Sequence, residues 1–508
     1  MVGVPGRSKG CQTCRKRKVK CDETKPICQR CTKAGYNCLG YERERIWMNI
    51  STAPISDDQT VAAANQMERT SPPRELSLVA FQSDFCFAYM FANHVWRSSG
   101  GLWLKDAAGG KFGSLSLNAT TALSQANFGR SNHQPIIERG GIQLYGQCLA
   151  ALGRQLGSLN QGGQALIVPI LVLLMHAGGQ EDRTGCAFHL RGMAKLLHVS
   201  GPESYQEQPL LDAFEAARAI MLVPALMSRQ RLFLDDKSWR TIPWLKNPTQ
   251  KSPQSELLDI LIMVPALLQE LDALGPSNAS SQHHWAILDR VKEQLALLYS
   301  WRWQWQALSG HEITAESDHA NPFPGIVGRG RQIRFRRFLV ASELMLYNAT
   351  LMWLLALLFK IDPFGAAGNI EACGRAAMAG VETARSFQSF EPLRRPGGAV
   401  NLRDPALEIC RAFEWISRHH DRSNESTYLY LFPVGMAMTA LQDDGEAMAW
   451  IKSMLNESPV TAFYGLGTNQ AGFGFYLSRE AMAAPGIVQL QEPLFSEQDM
   501  EQLKAIKI

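Results

Sequence analysis

Several kinds of chemistry are missing from these 508 residues. No His-Glu-x-x-His helix, Gly-x-Ser-x-Gly elbow or phosphate-loop motif occurs, so no familiar active-site arrangement can be assembled from the chain. GGKFGS at Gly109 lacks both the upstream glycine and the Ser/Thr directly after Lys111 that phosphate binding requires. Gly465, Gly467, Gly472 and Gly474 cluster without the dinucleotide spacing and read as a loop. The pairs His283–His284 and His419–His420 are adjacent and diverge by about 100° on a helix, so they read as surface histidines rather than ligands. The opening MVGVPGRSKG has no apolar signal core, which argues against an oxidising compartment and a disulfide framework. Alternating strand patterns are scarce. A strong overall charge imbalance is also missing, since 51 Lys/Arg stand against 47 Asp/Glu for a net of +4.

That small net conceals an asymmetry. Residues 1–50 hold twelve Lys/Arg against four Asp/Glu, net +8, while residues 51–508 hold 39 against 43, net −4. A basic head on a weakly acidic body suits a polyanionic partner met at one end.

Six of the eleven cysteines lie in the head, at Cys11, Cys14, Cys21, Cys28, Cys31 and Cys38. CQTCRKRKVKC and CQRCTKAGYNC are two copies of one C-x2-C-x6-C unit. Structural zinc is tetrahedral and favours thiolates, and two separate all-thiolate sites need eight ligands. Six suffice if two sulfurs bridge. Cys11 and Cys28 are the equivalent first residues of the units, so the pseudo-repeat selects them. One zinc then takes Cys11, Cys14, Cys21 and Cys28, and the other takes Cys11, Cys28, Cys31 and Cys38. A redox pair belongs near a strand–helix–strand pattern, which is absent here, and a zinc ribbon leaves Cys21 and Cys38 idle.

Each unit has room for about two helical turns between its second and third cysteine, with Gly35 suited to end the second helix in the left-handed conformation. About forty residues bury too little apolar surface to fold alone, so metal must supply the missing stability.

The string C-x2-C-R-x-R-K-x-K-C-D-x3-P-x-C-x2-C-x6-C over residues 11–38 resembles the fungal binuclear zinc cluster, the DNA-binding domain of fungal transcription regulators. Arg15, Arg17, Lys18, Lys20, Asp22, Pro26 and Gly35 fall on that family's preferred positions. The resemblance implies two short helices around two Zn2+ ions, the first presented to the major groove of double-stranded DNA over a CGG triplet. By resemblance Lys18 reads the guanines with Arg17 as helper. Arg15, Lys16 and Lys20 are then expected to meet phosphates, which supply affinity without sequence information. The run also suits a nuclear import signal, so the expected compartment is the nucleus.

The expected organisation is a cluster domain at 1–40, a Pro-punctuated linker at 41–75 and a helical regulatory domain at 76–508. Ile46, Ile50, Val61 and Met67 make no sustained heptad, which leaves the helical domain as the place for any homodimer contact. Beyond Leu76 the apolar spacing is helical, as at Tyr145, Leu149, Leu152 and Leu156, and at Leu288, Leu295, Leu298, Arg302 and Trp305. The fold class is therefore all-α.

Three stretches are almost wholly apolar: Ala165–Met175, Leu257–Leu268 and Phe338–Phe359. The last approaches the length of a membrane span. Ser342, Glu343, Asn348 and Thr350 interrupt it, and the expectation is a buried core helix with no membrane partner.

Cys86, Cys148, Cys186, Cys373 and Cys410 show no ligand spacing and read as reduced thiols. Strings near Asp84, His189, Arg231 and Leu429 resemble the fungal-specific transcription factor domain, which implies regulation rather than catalysis and partners in the transcription machinery. The segment around Leu494, Phe495 and Met500 mixes acidic and apolar residues, as activation segments or a closing amphipathic helix do. An enzyme fused to a zinc head needs a convergent polar site in the body, and none is legible. A protein-binding scaffold is disfavoured by the basic run between Cys14 and Cys21.

Overall fold

The structure is a computed structural model and describes residues 10–41, 81–93, 102–157, 163–180, 182–274, 282–317, 331–379, 392–419 and 431–457. The glycine cluster at Gly465–Gly474, the acidic-apolar segment near Leu494, His420 and most of the 41–75 stretch lie outside them. The chain divides into two compact units, Met1–Glu75 and Leu76–Ile508.

The first unit holds helices α1 (Gln12–Lys16) and α2 (Gln29–Lys33). Each begins directly after the first cysteine of its repeat and ends before the third. The expected location, between the second and third cysteines, is thereby corrected. The reason is local: Cys11 and Cys28 adopt extended backbone and cap the helices themselves, each sulfur accepting the N–H three residues on. At about 1.5 Å per residue the helices span little more than one turn. Their core is sulfur, with Cys11, Cys14, Cys28 and Cys31 fully buried and Val19, Cys21, Cys38 and Tyr41 packed around them.

The second unit is helical, with one antiparallel hairpin among the described residues, β1 (Ile313–Ser317) and β2 (Arg331–Phe335), paired from Ile313↔Phe335 to Ser317↔Arg331. Ile313, Ile333 and Phe335 turn inward, and Phe335 meets Trp415 edge-on at 5.4 Å. Five-residue strands are too short to stand out as an alternating pattern.

The apolar run from Phe338 forms one helix, Phe338–Ile361, the only described helix long and apolar enough to cross a membrane. Of its most apolar window, 89% is buried inside the protein. It packs against the helices Gln282–Ser309, Arg403–His419 and Phe432–Ala440. Its polar interruptions bond to those neighbours or to its own turns. Glu343 accepts from Trp305 Nε1 at 2.7 Å, and Asn348 donates to Glu408 at 2.9 Å. Ser342 and Thr350 donate to the carbonyls of Leu339 and Leu346. Side chains so paired belong to a protein core.

The Leu257–Leu268 stretch divides into Pro253–Leu261 and Val264–Leu274, and the Ala165–Met175 stretch runs through a 3₁₀ turn into Ile167–Gly179. Leu288, Leu295, Leu298, Arg302 and Trp305 share a buried face of Gln282–Ser309, as their spacing predicts. On Pro135–Gly157 the phase differs. Cys148 and Leu152 are buried while Leu149 and Leu156 are exposed, so the packed face lies about one residue round from the expected stripe.

The five cysteines beyond the cluster carry free thiols, four of them buried. Of the described histidines in the two pairs, His283 is exposed. His284 contacts the Ile361 carbonyl at 3.0 Å, and His419 stacks on Trp415 at 4.9 Å. Both are therefore partly packed rather than plain surface residues.

Candidate metal centre and nucleic-acid interface

The seventeen-residue repeat is carried into hydrogen bonds. Cys14 N–H donates to Cys11 Sγ, and Cys31 N–H to Cys28 Sγ, each at 3.3 Å. Cys11 N–H donates to Cys21 Sγ at 3.4 Å, and Cys28 N–H to Cys38 Sγ at 3.5 Å. Both helices close on a left-handed residue, Lys18 at φ 51° and Gly35 at φ 67°. Val19 N–H then reaches the Cys14 carbonyl at 3.0 Å, and Tyr36 N–H the Cys31 carbonyl at 2.9 Å. Gly35 thus ends its helix as its position suggests. Thr13 stitches the two cysteine repeats together, donating to the Asn37 carbonyl and accepting from Leu39 N–H, both at 3.0 Å.

The sulfurs gather into two quartets, Cys11–Cys14–Cys21–Cys28 and Cys11–Cys28–Cys31–Cys38, each with all ligand atoms within 4.8 Å of one another. Cys11 and Cys28 belong to both. A tetrahedron with zinc–sulfur bonds of about 2.3 Å has edges of about 3.8 Å. The separations Cys11–Cys28, Cys14–Cys28, Cys11–Cys31 and Cys14–Cys31 are 3.6, 3.7, 3.8 and 3.7 Å. They are far too long for disulfides. Cys11–Cys28, Cys14–Cys28 and Cys11–Cys31 match tetrahedral edges, the first common to both quartets, while Cys14 and Cys31 face each other across the two sites.

Electrostatics agree with the distances. Burial pushes the Cys11, Cys14, Cys28 and Cys31 thiols up, so a divalent cation is needed to hold them as thiolates. Cys21 is also raised by burial, but the N–H of Cys11, the Tyr41 hydroxyl and the N–H of Glu23 outweigh this and bring it down to about 6. Cys38 is lowered, chiefly by the Cys28 N–H.

Asp22 braces the second helix. Its carboxylate accepts from Gln29 N–H at 3.2 Å and Arg30 N–H at 2.5 Å, the exposed donors of the α2 N-terminus. The Thr24 hydroxyl bonds it as well. Tyr41 donates to the Thr24 carbonyl at 2.9 Å and its oxygen lies 3.5 Å from Cys21 Sγ. Tyr41 lies beyond the cysteine repeat, so nothing in the spacing marked it.

The basic run does not lie on one helical face. Arg15 and Lys16 occupy the last turn of α1, Arg17 is its C-cap, Lys18 is the left-handed residue after it, and Lys20 follows in extended chain. Arg15, Lys16, Lys18 and Lys20 are exposed, whereas Arg17 is half-buried.

A thiolate cage for two tetrahedral metals, rimmed by exposed cations, defines a zinc cluster module. Residues 9–47 match the family described as the fungal Zn(2)-Cys(6) binuclear cluster domain, and the head of this chain is such a module, holding two zinc ions. Over 57 residues the chain is 42% identical to the transcriptional regulatory protein moc3 of Schizosaccharomyces pombe, covering 11% of each protein. It is 59% identical over 39 residues to the aspercryptin biosynthesis cluster-specific transcription regulator atnN of Emericella nidulans, covering 8% of this chain and 6% of the relative. It is 53% identical over 94 residues to arginine metabolism regulation protein II of Saccharomyces cerevisiae, covering 16% of this chain and 11% of the relative. The chain therefore spans only about a tenth or less of the length of these relatives. No solved structure matches it.

Proposed function

We propose that the protein is a zinc-dependent, sequence-specific DNA-binding transcription regulator of RNA polymerase II genes that acts in the nucleus. The observation carrying this reading is the exposed cationic rim Arg15–Lys16–Lys18–Lys20 mounted on a two-metal thiolate cage. All six cysteines serve as ligands, with Cys11 and Cys28 bridging. When bound, zinc supplies folding energy, on the order of 10–16 kcal/mol in zinc-finger peptides. The chain's own residues do the rest. Lys18 approaches guanine O6 and N7 of CGG-type half-sites, and Arg15, Lys16 and Lys20 neutralise phosphates.

The helical unit from Leu76 onward regulates output, contacts co-regulators or the transcription machinery, and provides any homodimer contact. Control of a biosynthetic or metabolic gene set is proposed by analogy with relatives such as the aspercryptin biosynthesis cluster-specific regulator.

The test is binding of the full chain to CGG-containing and scrambled duplexes across a salt series, with residues 1–75 measured alongside. Salt-sensitive preference for CGG in both proteins supports the reading. Equal binding to both duplexes removes sequence-specific CGG recognition. CGG preference in the full chain alone removes the division of labour between head and body.

A further inference from the structure

Val19 and Tyr36 are equivalents in the seventeen-residue repeat. Each follows the left-handed residue, and each N–H bonds to the carbonyl of its unit's second cysteine. Their side chains part company. Val19 packs against the sulfur core, whereas Tyr36 is 51% exposed and its ring centroid lies 3.6 Å from the Arg17 guanidinium carbon. Arg17 Nη1 is buried and has no hydrogen-bond partner among the described residues. Of the five basic residues, only this one is drawn from solvent onto the protein.

The geometry points to Tyr36 as a positioning residue for DNA recognition, acting through Arg17; this rests on the DNA-binding reading above. A stacked guanidinium uses its π-face against the ring and keeps its N–H donors in the plane. The second cysteine repeat thereby fixes the orientation of a cation supplied by the first repeat. With Nη1 already shielded, the remaining donors form a fork with one direction of approach, suited to a pair of acceptors on the duplex. Those acceptors belong to phosphate oxygens or to a guanine edge. Holding the fork in advance spares the rotamer ordering that a free arginine undergoes on binding. The ring is what matters, and the phenol oxygen has no part in it.

The experiment uses the zinc-loaded full chain and four variants, Tyr36→Ala, Tyr36→Phe, Arg17→Ala and the Tyr36→Ala/Arg17→Ala double variant. Zinc content and affinity for CGG and scrambled duplexes are measured for each. Tyr36→Ala is expected to keep two zinc ions and bind the CGG duplex about tenfold more weakly, while Tyr36→Phe binds as wild type. The double variant is expected to bind no worse than Arg17→Ala, because the ring acts only through the arginine. Equal losses on both duplexes assign the fork to phosphate, and a loss confined to CGG assigns it to a base edge. Unchanged affinity in Tyr36→Ala, or additive losses in the double variant, overturns the proposal. Zinc loss in Tyr36→Ala overturns it as well, since the ring is then part of the metal fold. Absence of salt-sensitive DNA binding in the wild type rejects the proposed function first and leaves the stack a structural contact.

Discussion

Lys18 and Gly35 stand at equivalent positions and share one left-handed backbone conformation, with φ 51° and 67°. A side chain in that conformation costs about 1–2 kcal/mol, and glycine escapes the cost. The first unit therefore retains a lysine where its twin has the residue best suited to the turn. Such an outlier directs attention to function.

Lys18→Gly is expected to preserve the turn and both zinc ions while losing discrimination for CGG by about 5- to 150-fold, equivalent to roughly 1–3 kcal/mol. Lys18→Ala should lose the same contact and keep the strained backbone. Lys16→Ala should instead weaken all duplexes alike and flatten the salt slope by about one unit. Titrations of labelled duplex against each variant check this. Full CGG preference in a Lys18 variant takes the reading role away from that residue.

Cys11→Ser or Cys28→Ser is expected to release both zinc ions, because each sulfur belongs to both quartets. Cys14→Ser should empty its own site first, since its sulfur belongs to one quartet. Metal analysis of the purified variants decides the matter. One zinc per folded wild-type chain would sink the bridged arrangement.

Asp22→Ala should speed zinc release to a chelator, beginning at the site completed by Cys31 and Cys38, because the α2 N-terminus loses its acceptor. Folding lowers the Asp22 carboxyl to about 2, through the Thr24 hydroxyl first, against a burial penalty, and then through the N–H groups of Thr24, Arg30 and Gln29. A carboxyl lowered on folding stabilises fully above its unfolded value of about 3.9 and loses that contribution as pH falls through about 2. At pH 7 the effect of the variant is accordingly seen at full size. Equal release rates for variant and wild type would show that the cap contributes nothing.

In the helical unit, Arg218 is fully buried, donating to Asp259 at 2.6 Å and to the Ser255 carbonyl at 2.8 Å. Asp259→Ala leaves that cation without its carboxylate and should destabilise the unit by roughly 3–5 kcal/mol. The zinc content should stay at two. Calorimetric unfolding showing no fall in the body's transition temperature would refute the pair's importance.

The sequence alone determined the metal chemistry and the class of the fold. Six thiols admit two tetrahedral metals only if two sulfurs are shared, a rule of coordination number that needs no coordinates, and the repeat pointed to Cys11 and Cys28 as that pair. Helical spacing of apolar residues likewise marked the body as helical and placed Arg302 on the inner face of its long helix. Tertiary structure decided what depends on a neighbour. Whether Leu149 or Cys148 faces inward depends on which helices lie against Pro135–Gly157, and periodicity defines a stripe only to within a residue or so. Where α1 begins depends on Cys11 serving as cap as well as ligand, a double role that spacing does not express. That Arg17 lies on Tyr36 while Lys18 stands free in solvent depends on two units folding around shared sulfurs, which brings together residues nineteen positions apart in the chain.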